Sequence, residues 1–122
     1  MYLLLLGIQF LHFTEEYLAD FVTEIPRLLD QEPYSLDIWI SFNMGAYFIF
    51  ILGAIVLYRQ FTELYIIPIF FVLAGVLMNA VVHIATAIYV GGYFPGLYTA
   101  FIYAILGPVF VRTVMKEIRS VS

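Results

Sequence analysis

The chain has 122 residues, of which 64% are hydrophobic and 11% charged, with a mean hydropathy of +1.00. Soluble domains carry roughly a quarter charged residues, so this composition excludes an ordinary soluble fold and points to an integral membrane protein. Cysteine is absent, which excludes disulfides, iron–sulfur clusters and thiolate metal sites, and the net charge of -4 comes mostly from one connecting segment. No run of lysine and arginine suggests a nucleic-acid partner.

Taken in chain order, four stretches approach the roughly 20 mostly apolar residues that a transmembrane helix needs: near 1–19, 38–58, 65–90 and 96–115. The first lacks a basic leader and a small-x-small cleavage site, so it is expected to be a retained helix rather than a signal peptide. Residues 20–37 contain Pro26 and Pro33. On either side of Pro26 the apolar Phe21, Val22, Ile25, Leu28 and Leu29 alternate with Asp20, Glu24, Arg27 and Asp30, the pattern of an amphipathic piece lying along a membrane surface. The second link, 58–64, is short and polar. The third, Gly91-Gly92-Tyr93-Phe94-Pro95-Gly96, ends one helix and begins the next. The expected fold class is an all-α integral membrane protein, a single four-transmembrane-helix bundle over residues 1–122.

Basic residues set the expected orientation. Arg59, Arg112, Lys116 and Arg119 fall in the second link and the C-terminal region, against Arg27 alone in the first link, so the positive-inside rule puts both termini in the cytoplasm. Counted from the outer ends of their helices, His12 then lies about 11 Å deep, Glu15 and Glu16 about 6 Å, His83 about 10 Å and Asn79 about 16 Å. Ser41 and Asn43 of the second helix belong to the same half.

Ionisable groups at that depth cost a few kcal/mol each by insertion scales, which marks them as functional candidates. Gln9, His12, Glu15 and Glu16 recur at three- and four-residue spacing and form one ridge of the first helix; Asn79, His83 and Thr86 form another on the third. Both ridges are expected to face inward, with Asn43 and Tyr47 as the contribution of the second helix and Gly75 permitting close approach of a neighbouring backbone.

The three motifs His12-x-x-Glu15-Glu16, Asn79-x-x-x-His83 and Tyr93-x-Pro95-Gly96, in this order, resemble the small bacterial membrane proteins named for their H-x-x-E-E motif. The resemblance covers nearly the whole chain. It implies a bacterial cytoplasmic membrane location and a shared site, but that family is defined by sequence rather than by an activity, so no substrate follows from it.

Two imidazoles and two carboxylates suit a divalent cation such as zinc, iron or manganese, with His12, Glu15, Glu16 and His83 as candidate ligands. The spacing is neither the H-x-x-E-H nor the ferritin-like Glu-x-x-His pattern, and bis-histidine haem would leave two carboxylates without a task. The alternative is metal-free acid–base work in an isomerase or hydrolase, one carboxylate holding a proton while the other pairs with an imidazole. Candidate catalytic groups are Glu15, Glu16, Asn79 and Tyr93, the last capping the site from the turn. The expected function is a membrane-embedded enzyme acting on a lipid-like or apolar small molecule, with membrane lipid as its surroundings. A rival of another class is a non-catalytic protein that binds or transports an ion or small molecule, assembling as a homo-oligomer. The nearly unbroken apolar runs 3–6, 49–56 and 66–72 speak against a continuous conduit.

Overall fold

A computed structural model of the chain describes residues 1–120, and every regular element among them is helical. Helix α1 (Tyr2–Leu18) is followed by the short α2 (Phe21–Leu28) and by α3 (Leu36–Arg59). A single 3-10 turn, Thr62–Leu64, leads into one continuous rod made of α4 (Ile66–Phe70), a π-helical stretch (Phe71–Met78) and α5 (Asn79–Val90); α6 (Leu97–Arg119) completes the bundle.

Three of these segments, Leu36–Arg59, Thr62–Val90 and Leu97–Arg119, are long and apolar enough to cross a membrane. They contain the stretches expected at 38–58 and 65–90, and all of 96–115 except Gly96, which precedes the helix. The first expected span is a helix too, but its 17 residues reach only about 25 Å and include two glutamates in the last turn, which leaves it short of a full crossing on length and composition alone. The expected amphipathic piece in 20–37 is α2, eight residues long.

Burial follows the apolar periodicity. Leu5, Phe71, Val76, Tyr103 and Phe110 are fully buried in one cluster fed by every long helix. Phe50 and Phe71 pack with ring centroids 4.4 Å apart, and Tyr2 meets Phe71 edge-on at 5.3 Å. Two tyrosines pin α1 to α3 by donating to backbone carbonyls, Tyr2 to Phe50 (3.0 Å) and Tyr47 to Leu6 (2.9 Å). A Cβ on Gly107 would come within 2.8 Å of Leu77, so that glycine sets how closely α6 rests on the π-helical stretch. From the first residue after that stretch, the side-chain amide of Asn79 donates back to the Gly75 carbonyl (3.1 Å), supplying a local donor where the backbone ladder departs from α-helical spacing.

Helix α3 packs on α1 and α4 but makes little contact with α5, while α5 packs extensively on α6. The divergence of α3 from α5 leaves a cavity of about 620 Å³ between them, with Gln9, Glu16, Trp39, Asn43, Gly75 and Asn79 on its walls.

Candidate metal centre

The site is assembled at the end of the bundle that carries the Gly91–Gly96 turn. Helix α5 stops there because Gly91 adopts a left-handed conformation (φ 72), and the Gly92 N–H returns to the Ala87 carbonyl (3.1 Å) as helix-closing turns require. Gly96, also left-handed (φ 88), starts α6 and lies directly over both imidazoles: a Cβ there would sit 2.6 Å from His83 Nδ1 and 2.9 Å from His12 Cε1. Only a residue without a side chain lets the turn close on the histidine pair.

Within this shell His12, Glu16 and His83 are all buried, and their ligand atoms lie within 4.8 Å of one another. Glu16 Oε1 is 3.2 Å from His83 Nε2 and 3.5 Å from His12 Nε2. The two rings meet edge to face with centroids 4.7 Å apart. Among the described residues no other group of three or more histidine, aspartate or glutamate side chains converges in this way.

The hydrogen-bond network fixes which ring nitrogens face the centre. His83 Nδ1 lies 2.6 Å from the Pro95 carbonyl, which can only accept, so Nδ1 carries a proton and the Nε2 of the neutral ring presents a lone pair. His12 Nδ1 lies 2.7 Å from Thr99 Oγ1, and the Thr99 hydroxyl donates to Glu15 Oε2 at 2.6 Å. Having spent its proton there, the hydroxyl accepts from His12 Nδ1–H, and His12 too turns an Nε2 lone pair inward. That Nε2 is the one buried side-chain nitrogen or oxygen among the described residues without a hydrogen-bond partner. An orphaned acceptor beside a second imidazole lone pair and a carboxylate fits a cation. Donors held about 2 Å from a common tetrahedral ion stand about 3.3 Å apart, close to the two separations measured from Glu16.

Glu15 is not part of this convergence. Its carboxylate reaches across to the start of α6, where Tyr98 N–H donates to Oε1 (2.9 Å) and Thr99 N–H to Oε2 (2.9 Å). Helix α6 has no side-chain cap of its own, so Glu15 supplies from α1 the acceptor its first turn lacks, placed at the positive end of the helix dipole. Tyr93 donates to the same carboxylate at 3.1 Å and remains nearly half exposed. Partial burial and the facing Glu15 push its hydroxyl up to about 12, so it stays a donor across the neutral range. Tyr93 thus closes the Glu15 side of the site rather than the space between the imidazoles.

The other expected groups divide. Gln9 is buried and accepts from Tyr103 (2.6 Å), one turn of α1 before His12, while Asn43 donates to Trp39 O (2.9 Å) and Asn79 to Gly75 O; all three line the cavity, as does Glu16. Thr86, expected on the inward ridge, bonds the Val82 carbonyl of its own helix (2.8 Å), a local partner that frees it from facing the bundle. Sequence reading passed over Thr99, Tyr103, Phe21 and Phe94. Thr99 and Tyr103 are four apart on α6, a ridge detectable by the spacing used for the other helices. Phe21 and Phe94 cover His83, their ring centroids 5.8 and 6.0 Å from the imidazole, and shield it from the surface.

A protein family described as "Protein of unknown function with HXXEE motif" matches residues 3–111. No curated protein and no solved structure matches the chain. The matched stretch includes His12, Glu15 and Glu16 as well as His83 and Thr99, so the residues that meet at this site lie inside one family domain. The chain belongs to the HXXEE-motif family.

Proposed function

We propose that the protein is a membrane-embedded, metal-dependent enzyme acting on an apolar, lipid-like molecule, with His12, Glu16 and His83 holding a divalent cation such as zinc, iron or manganese. The observation that carries this reading is the unpartnered His12 Nε2, buried beside the His83–Glu16 contact. Three protein ligands leave a coordination position open, the arrangement of catalytic rather than structural zinc sites. A cation held there would polarise a carbonyl or phosphoryl oxygen, or lower the pKa of a bound water toward neutrality.

The chain's own residues do the rest. Thr99 and the Pro95 carbonyl orient the imidazoles through their Nδ1 protons, and Glu15 orients Thr99. Phe21 and Phe94 exclude water from His83. Glu16 belongs both to the centre and to the cavity wall, with Asn79 and Gln9 beside it to orient a polar group entering from the apolar side. The reading includes α1 as a fourth membrane segment and both termini on the cytoplasmic side, which puts the centre in the outer half.

A metal-free version has one observation in its favour, the 3.2 Å separation of Glu16 and His83, which suits a shared proton. It leaves His12 Nε2 without a task. A conduit is disfavoured by the packing on the far side of the site, where Leu5, Phe71 and Val76 are fully buried.

Elemental analysis of protein purified without added metal tests the proposal. We expect close to one equivalent of a transition metal, and loss of most of it in His12→Ala and in His83→Ala. Metal-free protein that remains folded in its purified form would exclude the metal reading.

A further inference from the structure

The cavity beside Glu16 has a chemistry that restricts what it accepts. Phe13, Ile38, Phe42, Phe50 and Phe70 make its walls apolar, and Ile38, Phe42 and Phe70 are exposed, so the mouth opens sideways between α3 and the α4–α5 rod. Its volume of about 620 Å³ lies within the roughly 300–1,000 Å³ of sites that bury one small molecule. No cation from the protein reaches it. Of the five basic residues, Arg27 is exposed and paired with Glu24 (2.6 Å), and Arg59, Arg112, Lys116 and Arg119 lie near the C-terminal ends of α3 and α6, whereas the α3 residues on the cavity wall run only from Ile38 to Phe50.

The polar groups at the cavity are committed so that their free atoms complement an uncharged head. Asn43 and Asn79 spend amide hydrogens on the Trp39 and Gly75 carbonyls and keep their oxygens as acceptors, while Gln9 spends its oxygen on Tyr103 and keeps its amide hydrogens. A neutral hydroxyl or amide, which both donates and accepts, matches this set. A carboxylate head has no hydrogen to give the Asn43 and Asn79 oxygens and would leave them unpaired in an apolar cavity.

From these contacts we infer that the cavity holds the hydrocarbon chain of a single-chain lipid with an uncharged, hydrogen-bonding head, such as a long-chain alcohol or amide, admitted from the bilayer between α3 and α5 with its head at Glu16. This rests on His12, Glu16 and His83 being the reacting centre, and it adds the substrate's head-group class and its route.

The single tryptophan, Trp39, lines the cavity and reports occupancy directly. Protein in nanodiscs of unbrominated lipid is titrated with dibromo-octadecanol, with dibromostearate at neutral pH, and with dibrominated phosphatidylcholine. Metal content is measured on the same samples. The alcohol should quench Trp39 saturably, and the carboxylate and the zwitterionic phospholipid should require concentrations at least about tenfold higher, the factor that about 1.4 kcal/mol of desolvation produces. Ala74→Phe, which fills the cavity from the π-helical stretch, should abolish the saturable part; Ala46→Phe does so from α3 if the first variant fails to fold. Quenching that never saturates and ignores both fillings would mean annular lipid alone and overturn the site. Equal affinity for dibromostearate would overturn the uncharged head. Selective, saturable quenching in protein without metal would support the cavity assignment while removing the metal centre proposed above.

Discussion

Glu15 and Glu16 are neighbours in sequence, yet they diverge by about 100° around α1 and take different work. Glu16 is buried between the imidazoles; Glu15 is half-buried and accepts four hydrogen bonds from the Gly91–Gly96 turn and α6. From sequence, either glutamate reads as a group whose replacement by glutamine leaves the fold intact. The four hydrogen bonds to Glu15 argue for a different outcome there. An amide keeps one acceptor but turns an NH₂ toward donors, so Glu15→Gln should lower stability by about 1–2 kcal/mol, the range of a lost helix cap. It should also weaken metal binding by about 10–100-fold through Thr99 and His12, without removing a ligand. Thermal denaturation and metal titration of the same variant check both parts. Unchanged metal affinity would mean that Thr99 does not orient His12.

At the scale of elements, the start of α6 decides whether the centre forms. Gly96 combines a left-handed backbone with contact to both imidazoles, whereas Gly91 has the same backbone handedness (φ 72) and open space around its Cα. Gly91→Ala should therefore cost only the left-handed penalty, about 1–2 kcal/mol, and leave metal retention unchanged. Gly96→Ala should cost more and lose the metal, because the added methyl displaces His83 and His12 together. Metal content and thermal midpoint of the two variants, compared side by side, make the check. Equal metal retention would sink the assignment of Gly96 as the seat of the pair. The π-helical stretch belongs to this scale as well. Nothing in the apolar run Phe71–Met78 announces wider turns, yet they fix the azimuth at which α5 presents His83.

For the whole molecule, the distribution of basic residues remains the argument for orientation. The exposed positions Gln31 and Gln60 lie on opposite sides of α3, and the absence of native cysteine makes each a clean labelling site. A membrane-impermeant thiol reagent applied to intact cells should modify Gln31→Cys and spare Gln60→Cys. The reverse pattern would move the centre to the cytoplasmic half and invert the proposed route of entry.

The apolar class, the long helices and the identity of the ionisable residues were legible before any folding, because they depend on composition, on stretch length and on spacing near 3.6 residues, all of which are local. The pairing of His12 with His83, and of both with the turn ending at Gly96, was legible only as residues at a common depth. The tertiary structure decided which glutamate meets the imidazoles, that Thr99 links His12 to Glu15, and that α3 leaves α5 to open a cavity at Glu16. Those outcomes depend on the rotation of each helix about its axis and on contacts as distant in sequence as Glu15 with Thr99. Helical periodicity places a residue on a face; only packing determines what that face meets.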